Sequence, residues 1–235
     1  DDFNFSGKRV LLRADLNVPI QDDVITDTTR IARTIPTILE LQEKGAQVIV
    51  MSHFGRPKGQ QCPEMSLKPI AAELGRYLNQ VVIFSPDCIG QEAMEMISTA
   101  NRDSVIMMEN LRFHSEEEEN DENFAKQISD LADIYVNNAF SCAHRAHAST
   151  EAITRFLPSA AGRLMQYELE ALNNALGNPA PPVAALVGGA KISSKIEVLV
   201  NLVSKVDQLI IGGGMANTFL YSKGINIGNS LCERD

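Results

Sequence analysis

The sequence has few cysteines, no long apolar run and no excess of positive charge. None of its 235 residues belongs to a run of about 18 apolar residues, so we expect no transmembrane helix. The acidic first residues lack the apolar core of a secretory signal. The four cysteines, at positions 62, 88, 142 and 232, fit neither a zinc pattern nor a disulfide framework, which favours free thiols in a reducing cytoplasm. A net charge of −9 disfavours general nucleic-acid binding.

What the sequence does contain is an alternation of short apolar segments and segments with helical periodicity. The predicted strands cover residues 8–15, 47–52, 81–84, 104–108 and 134–136. The predicted helices cover residues 28–44, 67–78, 90–100 and about 121–131. Because these strands lack polar alternation, the pattern predicts the α/β class, with a parallel sheet covered by helices on both faces.

A second α/β region follows a predicted helix at 162–176 and a proline-rich stretch. Strands are predicted at 183–187 and 208–211, each leading into a helix, the first of them at 192–203. We therefore predict two Rossmann-like three-layer α/β/α domains with parallel sheets. Residues 1–160 form the first, residues 161–180 a connecting helix and hinge, and residues 181–235 the first part of the second. Two strands are too few for a complete domain, so the second domain is expected to be incomplete in this chain.

Cationic side chains follow several of the predicted strands. The segment from Phe140 to Thr150 holds Arg145 among small residues that leave room for an anion. In parallel sheets ligands bind at the carboxyl ends of the strands, and arginine matches carboxylate and phosphate groups bidentately. We expect a site there for a small ligand carrying both groups; the alternative is a set of separate, solvated or ion-paired arginines. The candidate residues are Asp15, Asn17, Arg30, His53, Arg56, Arg112 and Arg145.

Two further segments carry weaker signals. The glutamate run 116–119 is interpreted as a solvated face at the start of a helix, and His114 is interpreted as structural. The histidines lack the spacing of metal ligands, so no metal site formed by the protein alone is expected.

Two glycine-rich turns in the second region indicate phosphate binding, because glycine allows close backbone approach and a helix N-terminus attracts anions. Lys191 and Lys195 lie four residues apart and are predicted to share one helix face. Ile192 stands where a P-loop needs Ser or Thr, and the dinucleotide fingerprint also fails, which disfavours a nicotinamide-dependent dehydrogenase. The alternative is a pair of tight turns with exposed lysines.

Six blocks together resemble the phosphoglycerate kinase family along the whole chain, in order and in spacing. They are Arg13-Ala14-Asp15-Leu16-Asn17-Val18-Pro19, Ser52-His53-Phe54-Gly55-Arg56-Pro57, Glu109-Asn110-Leu111-Arg112-Phe113, Ala143-His144-Arg145-Ala146-His147-Ala148-Ser149, Gly188-Gly189-Ala190-Lys191 and Gly212-Gly213-Gly214-Met215-Ala216-Asn217-Thr218-Phe219. The Leu16 variant and Ala216-Asn217-Thr218-Phe219 resemble the bacterial members. The sequence departs from the family at Asn138, where Asp is usual, and at Ser141-Cys142, where Gly-Thr is frequent; both affect the positioning of Arg145.

The resemblance implies a cytoplasmic, monomeric enzyme that transfers a phosphoryl group reversibly between 1,3-bisphosphoglycerate and ADP, giving 3-phosphoglycerate and ATP. The first domain would bind phosphoglycerate through the seven candidate residues above. Arg30 and Lys191 would be catalytic, contacting the transferring phosphoryl group. ADP or ATP, with Mg²⁺, would be bound by Gly189, Ala190, Lys191, Lys195 and Gly214. Substrates on separate domains would be brought together by hinge closure.

The resemblance also sets expectations about this chain as given. The family's second domain continues beyond the counterpart of Asp235 and supplies the metal-binding carboxylate there, so no metal ligand is expected in this chain. The alternative to a working kinase is therefore a fragment that binds phosphoglycerate without turnover. We further expect Arg112→Ala to weaken phosphoglycerate binding and to leave stability nearly unchanged.

Overall fold

The predicted strands form parallel sheets in the computed structural model, which describes residues 3–22, 24–177 and 179–234. The chain divides into two compact units, Asp1–Glu168 and Leu169–Asp235. The strands of the first unit are β1 (Arg9–Arg13), β2 (Ile20–Gln21), β3 (Val24–Ile25), β4 (Gln47–Met51), β5 (Val82–Ser85), β6 (Val105–Met108), β7 (Ile134–Asn137) and β8 (Ser159–Ala161). Its helices are α1 (Thr29–Glu43), α2 (Lys68–Leu78), α3 (Gly90–Thr99), α4 (Ser115–Glu118) and α5 (Glu122–Ser129), and α6 (Arg163–Leu172) spans the division between the units.

The main sheet has six parallel strands in the order β5-β6-β4-β1-β7-β8. β1 lies between β4 and β7, and Arg13 at its end pairs in register with both Met51 and Asn137. The residues that follow these three strands are therefore level with one another at the carboxyl edge. This register brings Asp15, His53 and Asn138 to the same edge of the sheet.

The sheet separates two apolar layers because successive strand side chains point to opposite faces. Val10 and Leu12 of β1 belong to one buried cluster, which α1 and α2 cover with Ile31, Ile38 and Ile70. Leu11 of the same strand belongs to the other cluster. Ile97 of α3 and Phe124 and Ile128 of α5 cover that second face. Helices thus lie on both faces, which confirms the three-layer α/β prediction for this unit.

The second unit contains a two-stranded parallel sheet. Its elements are β9 (Ala184–Gly188), α7 (Ile196–Val203), β10 (Gln208–Gly212) and α8 (Gly213–Ser222). The helix predicted over 192–203 begins only at Ile196, because a 3₁₀ turn, Ser193–Lys195, precedes it. The helix predicted over 162–176 is α-helical as far as Leu172 and continues as a π turn, Asn173–Gly177.

Some elements were not predicted. The strand β8 and the antiparallel pair of β2 with β3 are short and carry little periodicity of their own. The acidic run contains the one-turn helix α4, and its Glu117 is fully buried, so the interpretation of that run as a solvated face was wrong for Glu117.

No helix within the described ranges combines the length and apolar character needed to cross a membrane.

Gly162 marks a point where the fold tolerates no side chain. Asn138 Oδ1, which is buried, accepts from Thr37 Oγ1 at 3.2 Å and from the amide of Leu164 at 2.9 Å, and so joins β7 to α1 and α6. A Cβ at Gly162 would lie 2.3 Å from that same oxygen.

We predict that Gly162→Ala lowers the free energy of unfolding by about 1–3 kcal/mol, because Asn138 must move and lose these bonds. Urea unfolding followed by circular dichroism measures the loss. Ala161→Ser, one residue earlier at an exposed position, is the control and should change little. Equal stability of Gly162→Ala and the parent protein would contradict the close approach described here.

Candidate functional site

A buried arginine lies beneath the carboxyl edge of the first unit's sheet. Arg13, at the end of β1, is 1% exposed, and all of its side-chain nitrogens have partners. Its Nε donates to Ser149 Oγ at 2.9 Å, and Nη1 donates to the Ala14 carbonyl oxygen. Its Nη2 lies 3.2 Å from Nδ1 of His53. The sequence offered no sign that Arg13 belonged to the site, because it occupies a strand position flanked by apolar residues.

The counter-charge to Arg13 comes from Glu117, which is fully buried. Ser149 connects the two charges, since its Oγ accepts from Arg13 and donates to Glu117 Oε1 at 2.6 Å. The other carboxylate oxygen accepts from the Ser149 amide at 2.9 Å, and His147 Nδ1 lies 3.7 Å from Oε1. Burial raises the pKa of Glu117, but His147, Arg13 and Ser149 outweigh it, so the pKa lies below its usual value. Glu117 is therefore an ionised, hydrogen-bonded support beneath the edge.

His53 lies directly above Arg13. It is 7% exposed, and burial together with the charges of Arg13 and Arg112 lowers its pKa to about 3. The ring is therefore neutral at neutral pH. The positive charge at this edge is carried by arginines, not by this histidine.

Asp15 and Arg30 form an ion pair, and Ser141 Oγ also donates to the Asp15 carboxylate. Burial raises the pKa of Asp15, but the bond from Ser141 and the Arg30 guanidinium prevail and hold it below the usual value. A cavity of about 280 Å³ lies beside this pair. Its polar lining residues are Asp15, Thr29, Arg30, Arg33, Asn138, Ser141 and Glu168.

Asn17 and Arg112 bind the two peptide groups on either side of the Gly55 Cα. Asn17 Oδ1 accepts from the Gly55 amide at 2.9 Å, and Arg112 Nη1 donates to the Gly55 carbonyl at 2.8 Å. The Arg112 Nε is buried and lies 3.2 Å from Glu118 Oε1, but within the described residues it has no hydrogen-bond partner, so that contact is an ion pair only. Gly55 itself has a φ of +59°, and a Cβ there would lie 2.8 Å from Met65 Sδ. Asn17 and Arg112 thus shape the turn that presents Arg56.

The buried position of Arg112 changes one expectation. A 5% exposed guanidinium that holds the Gly55 carbonyl contributes to the fold as well as to binding. Burial lowers the pKa of Arg112 and Glu118 opposes that effect, while Arg145 and Arg13 lower it further. Arg112→Ala is therefore expected to destabilise the first unit, contrary to the earlier expectation of nearly unchanged stability.

Arg56 and Arg145 differ from the arginines beneath them. Arg56 is exposed and Arg145 half-buried, and neither guanidinium has a hydrogen-bond or ion-pair partner among residues 3–22, 24–177 and 179–234. Arg145 lies close enough to Arg112 to lower that residue's pKa. Its guanidinium donors are available to a carboxylate or a phosphate, while the donors of Arg13 are already used. The arrangement can therefore bind a small anion.

The two glycine turns of the second unit pack against each other. The Met215 amide donates to the Gly189 carbonyl at 3.0 Å. A Cβ at Gly214 would lie 2.8 Å from the Ala190 carbonyl oxygen, and Gly213 has a φ of +64°. These glycines are therefore needed for the contact between β9, β10 and the start of α8.

Lys191 and Lys195 are both exposed, and within the described ranges their ammonium groups have no hydrogen-bond partner. Their predicted placement on one helix face is wrong, because Lys191 precedes the 3₁₀ turn and Lys195 caps α7. The turn between them is held by Glu233, whose carboxylate accepts from the amides of Ile192 and Ser193 at 2.5 and 2.9 Å. The role of Glu233 was missed because it lies 40 residues from Ser193 in the sequence.

Two other features of the described chain have the wrong chemistry for this anion site. A larger cavity of about 850 Å³ in the second unit has an apolar lining with Lys223 as its charged member. Two groups of three possible metal ligands occur, Asp15, His53 and Cys142, and Asp87, Cys88 and His114. The first group lies among the arginines of the edge, which favours an anion over a cation. In the second, His114 Nε2 and Asp87 Oδ1 are 2.8 Å apart and already bonded.

Comparison with known proteins identifies the family. The family model described as "Phosphoglycerate kinase" matches residues 1–235. The chain belongs to the phosphoglycerate kinase family. A phosphoglycerate kinase of Sinorhizobium medicae is 58% identical over 232 residues, covering 99% of this chain and 58% of that protein. One from Agrobacterium fabrum is 56% identical over 236 residues, covering 100% and 59% respectively.

Solved structures of phosphoglycerate kinases share the fold. That of the Coxiella burnetii enzyme has a TM-score of 0.88 at 44% identity, covering 99% of this chain and 58% of that one. The Pyrococcus horikoshii enzyme has a TM-score of 0.84 at 35% identity, covering 97% and 58%. The chain thus spans somewhat more than half the length of the phosphoglycerate kinases it matches.

The departures from the usual phosphoglycerate kinase sequence have structural consequences. Asn138 retains two accepted hydrogen bonds, but its Nδ2 is buried and has no partner among the described residues. Ser141 uses its hydroxyl to bond Asp15, and Cys142 Sγ lies 3.9 Å from His53 Nδ1. Both substituted residues in the loop before Arg145 therefore contact predicted site residues directly.

We predict that Glu117→Gln lowers stability by about 3 kcal/mol at pH 7, because the charge of Arg13 loses its buried counterpart. The pKa of Glu117 is depressed in the folded state, so its contribution is present above the unfolded value of about 4.3 and is lost as the pH falls through the folded value. The difference between parent and variant should therefore narrow below about pH 4.3. Urea unfolding at several pH values measures this.

Glu116→Gln, the adjacent exposed glutamate, is the matched control and should leave stability nearly unchanged at all these pH values. A stability difference between parent and Glu117→Gln that stays constant with pH would show that the pKa of Glu117 is the same in the folded and the unfolded protein, which would contradict the depressed folded-state pKa.

Proposed function

We propose that this chain binds 3-phosphoglycerate or 1,3-bisphosphoglycerate at the carboxyl edge of its first sheet, as part of a phosphoglycerate kinase. The observation that carries the proposal is the unpaired guanidinium of Arg145 above an edge where Arg13 already uses its donors within the protein. Arg56 supplies a second guanidinium whose N–H donors are unused within the described ranges. A ligand with a carboxylate and a phosphate would use both, since each group accepts two parallel N–H bonds.

The remaining predicted substrate residues have roles that follow from their contacts. His53 offers a neutral ring, and Asp15, a carboxylate, can accept from a ligand hydroxyl. Asn17 and Arg112 bind the Gly55 amide and the Gly55 carbonyl and so position Arg56. Arg30, paired with Asp15 beside the cavity, is exposed enough to turn towards a phosphoryl group when a ligand binds.

We further propose that the second unit binds ADP or ATP at its glycine turns, through Gly189, Ala190, Lys195 and Gly214. Lys191 would contact the transferring phosphoryl group. Phosphoryl transfer depends mainly on positioning and charge neutralisation, which lysine and arginine supply. Because Arg30 and Lys191 belong to different units, transfer would require a closing motion that also excludes water.

Mg²⁺ would enter this scheme with the nucleotide. The described part of the second unit contains no group of three possible metal ligands, while nucleotide phosphates bind Mg²⁺ readily. The metal would neutralise charge on the phosphates. A cytoplasmic, monomeric enzyme of glycolysis fits this proposal.

We predict that Arg145→Ala weakens 3-phosphoglycerate binding about tenfold or more, because a charge-assisted hydrogen bond is lost. Isothermal titration calorimetry with 3-phosphoglycerate measures the affinity. Stability should change little, because the Arg145 side chain has no partner within the described ranges. Arg76→Ala, an exposed arginine of α2 paired with Glu73, is the control and should bind like the parent. Unchanged affinity in Arg145→Ala would reject this placement of the ligand.

We predict that Lys191→Ala lowers kcat by about 100-fold or more while weakening ADP binding far less, because its charge is needed mainly in the transition state. A coupled assay measures kcat, and calorimetry measures ADP affinity. Lys205→Ala, an exposed lysine beyond α7, is the control. Comparable losses in kcat and ADP affinity would contradict a transition-state role, and parent-like values in both would exclude Lys191 from the site.

A further inference from the structure

The two ring nitrogens of His53 lie in different surroundings. Nδ1 faces the guanidinium of Arg13, with Nη2 at 3.2 Å, and the thiol of Cys142, with Sγ at 3.9 Å. Arginine has only donors and stays protonated in proteins, so the bond between them requires Nδ1 to be the acceptor. In a neutral imidazole the other nitrogen then carries the proton. The geometry around Nδ1 therefore decides the tautomer.

Nε2 is in a contrasting position. It has no hydrogen-bond partner among residues 3–22, 24–177 and 179–234. It is also not one of the fully buried polar atoms that lack a partner in that part of the chain. It therefore retains contact with solvent. An N–H at this position is available to an incoming ligand atom.

We propose that Arg13 is a positioning residue that holds His53 in the Nε2–H tautomer, so that His53 serves the anion site as an uncharged hydrogen-bond donor. Arg13 itself is almost completely buried, and its donors are directed to Ser149, Ala14 and His53. It acts on a ligand through His53. The inference rests on the proposed function only for the identity of that ligand.

The charges around His53 agree with this assignment. Arg13 faces it from β1, Arg112 from the turn after β6, Asp15 from the loop after β1, and Glu117 from α4, with Cys142 the neighbouring titratable group from the loop after β7. Burial and the two arginines dominate over the two carboxylates and lower the pKa to about 3. Protonating Nδ1 would place an N–H against the Arg13 guanidinium, which is why the cationic ring is unfavourable.

This assignment has a consequence for ligand recognition. A donor that stays neutral does not change its charge between pH 5 and 8, whereas an unperturbed histidine would. The contribution of His53 to anion binding is then independent of pH over that range. The arginines supply positive charge to the site, and the Nε2–H of His53 supplies one directed hydrogen bond to the ligand.

The direct test is nitrogen-15 NMR of the histidine side chains, because protonated and unprotonated ring nitrogens have well-separated shifts. The His53 signal is assigned as the one absent from His53→Gln. We expect a protonated Nε2 and an unprotonated Nδ1 that do not titrate between pH 5 and 8. An Nδ1–H tautomer, or titration within that range, would overturn the proposal irrespective of which ligand binds.

Substitutions at Arg13 test the cause. Arg13→Lys retains a cationic donor and should preserve the tautomer, while Arg13→Met removes it and should give a mixture of tautomers with a raised pKa. Urea unfolding and the other histidine signals, His114 among them, report whether each variant is folded. A folded Arg13→Met whose His53 keeps the parent tautomer and titration behaviour would show that Arg13 does not determine them.

Substitutions at His53 test the donor while residue 13 remains arginine. The Gln amide nitrogen reaches the position of Nε2, so His53→Gln should bind 3-phosphoglycerate within about threefold of the parent. Asn can accept from Arg13 through Oδ1 but places no donor at Nε2, so His53→Asn should bind about tenfold more weakly. Equal affinity of the two variants would reject the donor role. If neither the parent nor any variant binds 3-phosphoglycerate while the NMR result holds, the proposed function fails and the tautomer assignment stands.

Discussion

The first unit depends on the hydrogen-bonded connection of Arg13, Ser149 and Glu117 beneath the sheet edge. Two opposite charges are buried there, and each would be strongly unfavourable without the other. The Ser149 hydroxyl satisfies both, accepting from the guanidinium and donating to the carboxylate. Because the three residues come from β1, α4 and the loop that carries Arg145, the same connection fixes the relative positions of these elements.

This connection also explains how an acidic protein maintains a positive edge. The side-chain nitrogens of Arg13 all contact protein acceptors, and Nη1 of Arg112 donates to the Gly55 carbonyl, so both arginines orient other groups. Arg56 and Arg145 lie farther out, and within the described ranges their guanidinium groups have no partners. Burial lowers the pKa of Arg112, and the charges of Arg145 and Arg13 lower it further; an anion would relieve that repulsion between like charges. The arrangement is therefore better suited to a bound anion than to an empty site.

The second unit uses backbone geometry in place of buried charge. Its glycine turns touch closely enough that a side chain at Gly214 would strike the Ala190 carbonyl. Glu233 binds the amides that open the turn before α7, which leaves the two lysines exposed on either side. Precise placement of backbone groups with flexible lysines is suited to a polyphosphate, whereas the arginine forks of the first unit suit carboxylate and phosphate.

The sequence by itself determined the alternation of strands and helices, the parallel sheet and the carboxyl edge at which Asp15, His53 and Arg145 would meet. These follow from local periodicity and from the order of the segments, and the six blocks were sufficient to indicate the family. Only the tertiary structure decided which charges are buried and which are free. Glu117 looked like its solvated neighbours, and Arg13 like an ordinary strand residue, because their partners are distant in sequence: Arg13 and Ser149 are 136 residues apart. Burial and pairing are set by contacts between distant segments, so neither a local pattern nor a spacing rule could distinguish the supporting Arg13 from the exposed Arg56.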